Sequence, residues 1–534
     1  MKKIAIMLSL LSALTLSACG NTNNPVSESE SEPISEVESE SESTSSETES
    51  EVESESESEE QTEFDGFTRI EEPTLVYDEF NNVASHQGDA KLLIIPINLY
   101  SDNPNFHVLE WTGTSQQKVN NFFFGSSEDL YDKWESVKTY FEKVSKNKLN
   151  VGGMMTDIYQ VESPYSIKYI LENVKTDLDI IHKIFEDAVE WVKETYTDVD
   201  WTEYDQNKDG YIDNLHFITN ATFGTSNLRA DSGTSPFWPH SWNILQEKGN
   251  LESPLPNTYE TTCLGHLEKT AKTLIHEQGH VFGIDDYYDY SYVEPTVNYV
   301  GTFDMQSNNC GDWNAFSKFS VGWADAYYFD GTQDTATIKI KSSALTNQCI
   351  VVPANPDTFN GSAFDEYFLI ELFTADGVNA LDWAANVSDR VNYGVRLYHV
   401  NANLYHRTSQ TTGILIEDLN DAKEIYSLGG WVRTGANNSV NCFDYDGVDV
   451  SSDFKLLSLI QKGGADTFGT GARSQINETD LFYTGDLFTF DNYSHFLSKS
   501  GQNRTTMDNG ETFPYYISFD YVCREYAKIT IGRF

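Results

Sequence analysis

The sequence predicts an α+β protein in which a mixed α/β unit is followed by a β-rich C-terminal region. The apolar run Lys91–Tyr100 is typical of a central strand in a sheet. Over residues 177–196, apolar side chains recur at three- and four-residue spacing, which indicates a helix that covers such a sheet. After Trp323, short alternating runs are separated by Gly, Asn and Asp, and this pattern indicates strands.

The same periodicities predict the individual elements. In the first unit we expect helices at 136–146, 177–196 and 264–282, and a second strand at 214–220. In the second unit we expect strands at 335–341, 367–372, 395–400, 515–522 and 527–532. A chain of 534 residues exceeds what a single core usually organises, so we expect two folded regions, 64–330 and 331–534.

The chain is strongly acidic, with a formal net charge of -48. Residues 27–63 contain sixteen Glu and no Lys or Arg. Because this charge repels polyanions, we expect no nucleic acid partner. Residues 20–63 contain no aromatic side chain and cannot bury enough apolar area to fold, which predicts a disordered Ser/Glu-rich tether. A phosphorylated acidic binding tract is the alternative interpretation.

Residues 1–19 predict a bacterial lipoprotein signal peptide. Lys2 and Lys3 precede an apolar stretch at 4–16 that is too short to span a bilayer. The stretch ends in Leu16-Ser-Ala-Cys19-Gly, which resembles a lipobox, where cleavage precedes the cysteine and the thiol is lipidated. We therefore expect a lipid anchor on Cys19 at the outer face of a bacterial membrane. A plain secretory signal, and hence a secreted protein, is the alternative.

The most informative segment contains His276, Glu277 and His280 in the pattern H-E-x-x-H. On a helix, residues four apart share one face, so both imidazoles can bind one metal ion. Glu277 lies beside them and can act on a metal-bound water, which makes it the expected catalytic residue. The alternative is that two histidines and a glutamate lie on a solvated helix.

A third ligand is expected shortly after this helix. Gly283 stands where a residue with positive φ can end the helix and turn the chain back toward the metal. Asp286 is the predicted ligand, while Asp285 and Asp289 remain alternatives because carboxylates on one turn cannot be ranked by chemistry alone. Three protein ligands leave an open position for water, which is typical of catalytic zinc.

A second metal loop is expected at 205–213. Its oxygen donors occupy positions 1, 3, 5 and 9 of a calcium-loop pattern, with a glycine at the sharp turn and a backbone carbonyl as a further donor. These candidate Ca²⁺ ligands are Asp205, Asn207, Asp209, the Tyr211 carbonyl and Asp213. Position 12 is His216 instead of the usual Glu, and a plain turn is the alternative.

The segment 276–289 resembles the immune inhibitor A family of secreted metallopeptidases, which are similar to metzincins in pairing a zinc helix with a later methionine turn. Gly301-Thr-Phe-Asp-Met305 resembles that turn and would place Met305 beneath the zinc as an apolar floor. The resemblance covers most of the chain from about Lys91 and implies a metzincin-like catalytic domain within 64–330. Further matching segments are Asn121–Gly125, Tyr140–Leu149, Phe237–His240, Trp313–Lys318, Glu366–Glu371 and Tyr483–Asp486.

These observations predict a cell-surface zinc metalloendopeptidase that acts on extracellular proteins, with Ca²⁺ as a structural ion. The strand at 214–220 is expected at a sheet edge, where an extended peptide could pair with it. Tyr287, Tyr288 and His240 are all candidates for stabilising the oxyanion. The competing hypothesis is a catalytically silent adhesin or glycan-binding protein on a peptidase scaffold, although such a binder would not need Glu277 or an open metal position.

Overall fold

The computed structural model describes residues 64–71, 84–244, 248–267, 270–290, 297–382, 392–408, 413–416, 418–427, 430–439, 444–445, 448–449 and 453–534. The predicted signal peptide 1–19, the lipidation site Cys19 and the tether 20–63 lie outside these residues. They therefore stay predictions.

The strands are distributed over the whole of the described chain. In chain order they are β1 (Phe67–Arg69), β2 (Gly88–Asn98), β3 (Leu149–Met155), β4 (Tyr159–Gln160), β5 (Asn214–Thr219), β6 (His240–Asn243), β7 (Thr258–Cys263), β8 (Asp325–Phe329), β9 (Thr335–Ile340), β10 (Gln348–Pro353), β11 (Glu366–Thr374), β12 (Tyr393–Asn401), β13 (Leu404–Arg407), β14 (Gly413–Leu415), β15 (Trp431–Thr434), β16 (Asp444–Tyr445), β17 (Val448–Asp449), β18 (Leu457–Leu459), β19 (Leu487–Thr489), β20 (Tyr515–Val522) and β21 (Ala527–Arg533).

Helices occur along most of the described chain. They are α1 (Gly113–Phe124), α2 (Val137–Val144), α3 (Ile167–Asn173), α4 (Asp179–Thr195), α5 (Phe223–Ser226), α6 (Lys272–Val281), α7 (Met305–Asn308), α8 (Ala315–Ser320) and α9 (Ser343–Thr346), followed by Leu419–Ser427 and Phe490–Tyr493. Sheets and helices together give the mixed α+β class that the sequence predicts.

The first sheet has the strand order β3-β2-β5-β7-β6, and β4 also pairs with β2. Strands β3, β2, β5 and β7 are parallel, whereas β6 runs antiparallel to β7. The expectation that 214–220 forms a sheet edge is wrong, because β5 is hydrogen-bonded on both sides and every one of its residues is buried. The edge strand on that side of the sheet is β6.

The helix expected at 264–282 is shorter than predicted. Its amino-terminal part instead extends the sheet: the amide of Leu264 donates to the Thr219 carbonyl, and that of Gly265 donates to the Ala221 carbonyl. These bonds hold the chain beside β5 until it turns, so α6 begins only at Lys272. The apolar residues before Lys272 are therefore spaced as they are because they are buried against the sheet, and not because they form a helix.

Helices cover both faces of the first sheet. On one face, α4 packs through residues such as Phe185, whose ring stacks on Phe217 of β5 with centroids 3.8 Å apart. On the other face, Leu274 and Ile275 of α6 belong to the same buried cluster as Ile94 of β2. The helix that carries the H-E-x-x-H pattern is thus fixed by its apolar side against the centre of the sheet.

A second sheet has the order β1-β8-β10-β11-β12-β18, and a third has the order β19-β20-β21-β9. The second sheet therefore combines strands of the β-rich region with β1 and β8, which precede residue 331. The strands expected at 335–341, 367–372, 395–400, 515–522 and 527–532 appear as β9, β11, β12, β20 and β21. A buried cluster that includes Ile338, Phe368 and Ile529 lies between these two sheets. The cluster around α6 also contains residues of the second sheet, such as Tyr398. The predicted boundary at 330 remains a prediction.

Within the described ranges, no helix combines the length and the apolar character that crossing a bilayer would require.

Candidate metal centre

Helix α6 presents His276 and His280 on one face, as their four-residue spacing predicts. Their rings lie nearly perpendicular, with centroids 4.9 Å apart. The helix ends at Val281 with Phe282 as its C-cap, and Gly283 follows with φ of 80°, a left-handed conformation that glycine adopts without steric cost. This turn sends the chain back toward the two histidines.

Asp286 is the carboxylate that the turn brings to the histidines. Its Oδ1 lies 3.0 Å from Nε2 of His276 and 3.6 Å from Nε2 of His280. The three side chains form one of the groups of potential metal ligands among the described residues. Asp285, one of the two alternatives, is exposed. Asp289, the other, has its Oδ2 3.5 Å from the hydroxyl of Tyr299 and is not in this group.

The donor atoms of this cluster suit a divalent cation. Nδ1 of His276 donates to the Met305 carbonyl at 2.8 Å, and Nδ1 of His280 donates to the Ile284 carbonyl at 2.6 Å. With Nδ1 bonded to a carbonyl in each ring, Nε2 is the nitrogen that faces the cluster. Oδ1 of Asp286 is buried and faces both Nε2 atoms. Two imidazole nitrogens and one carboxylate oxygen are a typical ligand set for zinc.

The short turn that begins at Met305 is hydrogen-bonded to α6. Met305 is fully buried and supplies the carbonyl that holds His276. Gln306 donates from Nε2 to the backbone carbonyl of His276 at 3.0 Å, and its Oε1 accepts from Nε1 of Trp313 at 3.2 Å. Sequence reasoning singled out Met305 but missed Gln306, because nothing local in the sequence marks a glutamine that binds a helix 30 residues away.

Glu277 lies beside the histidines and is only 6% exposed. Burial raises the pKa of its carboxyl to about 7, against the opposing effect of His276 and His280. The pKa of Asp286 moves the other way: burial would raise it, but His280 and His276 lower it to about 2. The pKa values of the two carboxyl groups are therefore shifted in opposite directions.

The three candidates for stabilising an oxyanion have other partners. Tyr287 is fully buried, and its hydroxyl lies 2.6 Å from Oγ of Ser317. His240 is buried between the Trp238 carbonyl and the Tyr259 hydroxyl. The ring of Tyr288 packs edge-on against Tyr290, with centroids 5.3 Å apart.

Sequence reasoning did not single out Tyr290. Its hydroxyl donates to Oδ2 of Asp286, so this carboxylate is held through the oxygen other than the one nearest the histidines. The only signal in the sequence is its position four residues after Asp286, within a tyrosine-rich turn that offers several equivalent candidates.

In the loop at 205–213, three predicted carboxylate ligands lie close together. Asp205, Asp209 and Asp213 form a second group of potential metal ligands. Asp205 accepts from the amides of Asp209 and Gly210 at 3.0 and 2.9 Å, and Gly210 has φ of 88° at the sharp turn. Oδ1 of Asp213 is buried without a hydrogen-bond donor, and burial raises the pKa of this carboxyl to about 8.

Two further residues that were predicted as Ca²⁺ ligands lie in the same loop. Asn207 accepts at Oδ1 from the amide of Asp209, and Tyr211 donates its amide to Oδ1 of Asp209. His216, at position 12 of the pattern, is directed elsewhere: it is fully buried in β5, with Nδ1 2.7 Å from Oε2 of Glu260 in β7. Sequence reasoning did not find this buried pair.

Comparison with known proteins identifies the catalytic part of the chain. Residues 111–320 match the family model described as the immune inhibitor A peptidase M6 catalytic domain. This span contains the histidines of α6, Asp286 and Met305. Among curated proteins, no relative matches the chain. The matched family implies a metallopeptidase, and hence a hydrolase that uses a metal and acts on proteins. The resemblance drawn from the sequence is thus confirmed for residues 111–320, which are similar to the immune inhibitor A peptidase M6 catalytic domain.

Proposed function

We propose that this protein is a zinc-dependent endopeptidase that hydrolyses peptide bonds of extracellular proteins. The observation that carries the proposal is the convergence of Nε2 of His276, Nε2 of His280 and Oδ1 of Asp286 beside the buried carboxyl of Glu277. Three protein ligands leave a coordination position open, which a hydrolytic metal site requires and a structural one does not.

The chemistry follows from the roles of these side chains. Zinc, when bound, lowers the pKa of a coordinated water toward about 7 and polarises the scissile carbonyl. Glu277 takes the proton of the attacking water and delivers it to the leaving amine. Burial supports this role, because it raises the pKa of the Glu277 carboxyl and so makes its carboxylate a stronger base. Carbonyl oxygens hold the Nδ1 protons of His276 and His280, so Nε2 is the nitrogen of each ring that would bind the metal.

In this proposal, α6 is a zinc helix and Gly301–Met305 is a metzincin-like methionine turn. The support is the hydrogen bond from His276 to the Met305 carbonyl and the full burial of the Met305 side chain. The turn would then fix the tautomer of one ligand and close the apolar floor of the site.

We propose β6 as the strand that receives the substrate, in place of the strand expected at 214–220. Strand β6 is the edge strand of the first sheet on the side of β7, and it packs near α6. An extended peptide could pair with β6 through backbone hydrogen bonds. The scissile carbonyl of the peptide would then face α6.

The proposed location is the outer face of a bacterial membrane, with Cys19 as the lipid anchor and 20–63 as a spacer. Support comes from the sequence: the positively charged start, the short apolar stretch and the cysteine at the expected cleavage point. A flexible coil of this length would span about 40 Å. Substrates arriving from outside the cell suit such a tether.

We also propose a structural Ca²⁺ in the loop 205–213. The support is the group of Asp205, Asp209 and Asp213 and the buried Oδ1 of Asp213, which lacks a hydrogen-bond donor. A bound cation would relieve the repulsion between these carboxylates. Since His216 is paired with Glu260, the carbonyl oxygens of the loop or water would have to complete the shell.

The test of the enzymatic proposal is cleavage of a denatured protein such as casein by the purified chain. Cleavage should stop with a chelator and return with Zn²⁺. Glu277→Gln should lose activity by about 10²–10⁴-fold while keeping about one zinc per chain, because this side chain moves a proton and is not a ligand. A variant with full activity would overturn the mechanism. A wild-type chain without any chelator-sensitive cleavage would favour the adhesin hypothesis.

A further inference from the structure

A buried arginine of the second sheet reaches the turn that holds His276. Arg396 belongs to β12, and its side chain is 5% exposed. Its Nη2 donates to the Phe303 carbonyl at 3.3 Å. The guanidinium carbon also lies 4.2 Å from the ring centroid of Phe373 and 5.8 Å from that of Phe303. A strand of the β-rich region thus contacts the backbone two residues before Met305.

The position of the guanidinium is fixed from its other side. Nη1 donates to the Tyr398 hydroxyl at 3.4 Å and lies 3.5 Å from Oε1 of Glu371. The Tyr398 hydroxyl in turn donates to the same carboxylate oxygen at 3.1 Å. The carboxylate of Glu371 balances the charge of the buried Arg396 guanidinium. The planar guanidinium can therefore direct Nη2 at the turn.

The turn transmits this position to the metal ligand. The Asp304 carboxylate accepts hydrogen bonds from the backbone amides of Gln306 at 2.9 Å and Asn314 at 3.1 Å. These bonds fix the backbone of the turn that directly follows Phe303. The next carbonyl, that of Met305, receives Nδ1–H of His276. Two carbonyls of one short turn therefore face two different partners: Phe303 faces Arg396, and Met305 faces the ligand.

We propose that Arg396 is a positioning residue for His276, acting through the turn 303–306. The inference rests on the proposed metal site. Groups that hold the second nitrogen of a metal-binding histidine set its tautomer and orientation, and their loss commonly lowers metal affinity about 10–100-fold. Here that group is a backbone carbonyl, which no substitution can remove, so its position can be changed only through side chains that hold the turn, of which Arg396 is one. The β-rich region then belongs to the active site.

The test measures metal binding instead of turnover. Full-length wild type, Arg396→Met and Arg396→Lys are stripped of metal and titrated with Co²⁺, whose d–d absorption reports the ligand geometry. Thermal unfolding is recorded in parallel. Arg504→Met is the matched control, since Arg504 also lies in the β-rich region, pairs with Asp453 at 2.5 Å and stands over the Phe454 ring.

We expect Arg396→Met to weaken Co²⁺ binding about 10–100-fold and to change the absorption bands at a temperature where the variant is folded. Arg396→Lys should have a smaller effect in the same direction, because it keeps the charge but not the planar fork. If Arg396→Met does not fold, the Co²⁺ affinity of Arg396→Lys tests the proposal. Arg504→Met should bind as the wild type does. Folded Arg396 variants with wild-type affinity and spectrum would overturn the proposal. A wild-type chain that binds no Co²⁺ would instead overturn the metal site itself.

Discussion

Gly279 of α6 lies directly against the carboxamide of Gln306. A Cβ at this position would stand 2.4 Å from Gln306 Oε1. The carboxamide cannot swing away without loss, because it donates to the His276 carbonyl and accepts from Trp313. Close approach of the turn to the helix therefore requires glycine here, although glycine is a poor helix former.

Gly279→Ala should destabilise the protein. Alanine would favour the helix by about 1 kcal/mol, but the clash with a fixed carboxamide should cost more, giving a net loss of roughly 1–2 kcal/mol. Denaturant unfolding with and without bound zinc measures the effect. The double variant Gly279→Ala/Gln306→Ala removes the clashing carboxamide and should therefore regain part of the stability that the single variant loses. A single variant more stable than the wild type would show that the turn can move freely.

Asp286→Ala should lose zinc, because its Oδ1 lies between the two histidines. Asp285→Ala and Asp289→Ala serve as controls, since their side chains do not join this cluster. Metal content after dialysis measures the result for all three variants. If Asp289→Ala lost the metal and Asp286→Ala kept it, the assignment of the third ligand would be wrong.

Ca²⁺ should raise the melting temperature of the wild type but not that of Asp213→Asn. At one hundred times the dissociation constant, a single bound ion adds about 2.7 kcal/mol. Asp198→Asn, an exposed substitution shortly before the loop, should still respond like the wild type. Zn²⁺ should not replace Ca²⁺ in this assay. An unchanged melting temperature in the wild type would favour a plain turn at 205–213.

His240 should make folding stability depend on acid pH. Burial lowers the pKa of His240 from 6.5 to about 4, and both ring nitrogens are already engaged, one with the Trp238 carbonyl and one with the Tyr259 hydroxyl. Between these pH values the unfolded chain binds a proton that the folded chain does not, so stability falls as the pH falls from 6.5 to 4. The loss should be on the order of 3 kcal/mol.

The measurement compares chemical unfolding of the wild type with that of His240→Gln across this pH range. The variant should lose less stability on acidification, whereas His107→Gln, a change at an exposed histidine, should follow the wild type. Parallel curves for the wild type and His240→Gln would mean that His240 accepts a second proton without cost.

Cys19→Ser should release the protein from the membrane fraction or leave it unprocessed, because the thiol is the proposed site of lipid attachment. Fractionation of cells that make either form, followed by mass analysis of the N-terminus, is the measurement. Wild-type protein found free in the medium without lipid would contradict the anchor and leave the peptidase proposal untouched.

Local sequence patterns were sufficient wherever the deciding contacts are local. The spacing of His276 and His280 implies a common helix face, and the structure shows both rings directed at one carboxylate. Gly283 follows the helix with the positive φ expected of it. Strands with clear alternation, such as β9, were predicted almost to the residue. In each case the physical cause acts within a few residues of the chain.

The sequence by itself thus predicted the helix that carries His276 and His280, strands such as β9 and the resemblance to the immune inhibitor A peptidase family. Only the tertiary structure decided which carboxylate of the turn meets the histidines, that β5 is internal while β6 is the edge, and where Leu264 belongs. The same holds for Gln306 and Arg396, which act on His276 from 30 and 120 positions away. Such choices depend on hydrogen bonds and packing between distant segments, and those interactions leave no periodic signal in the chain.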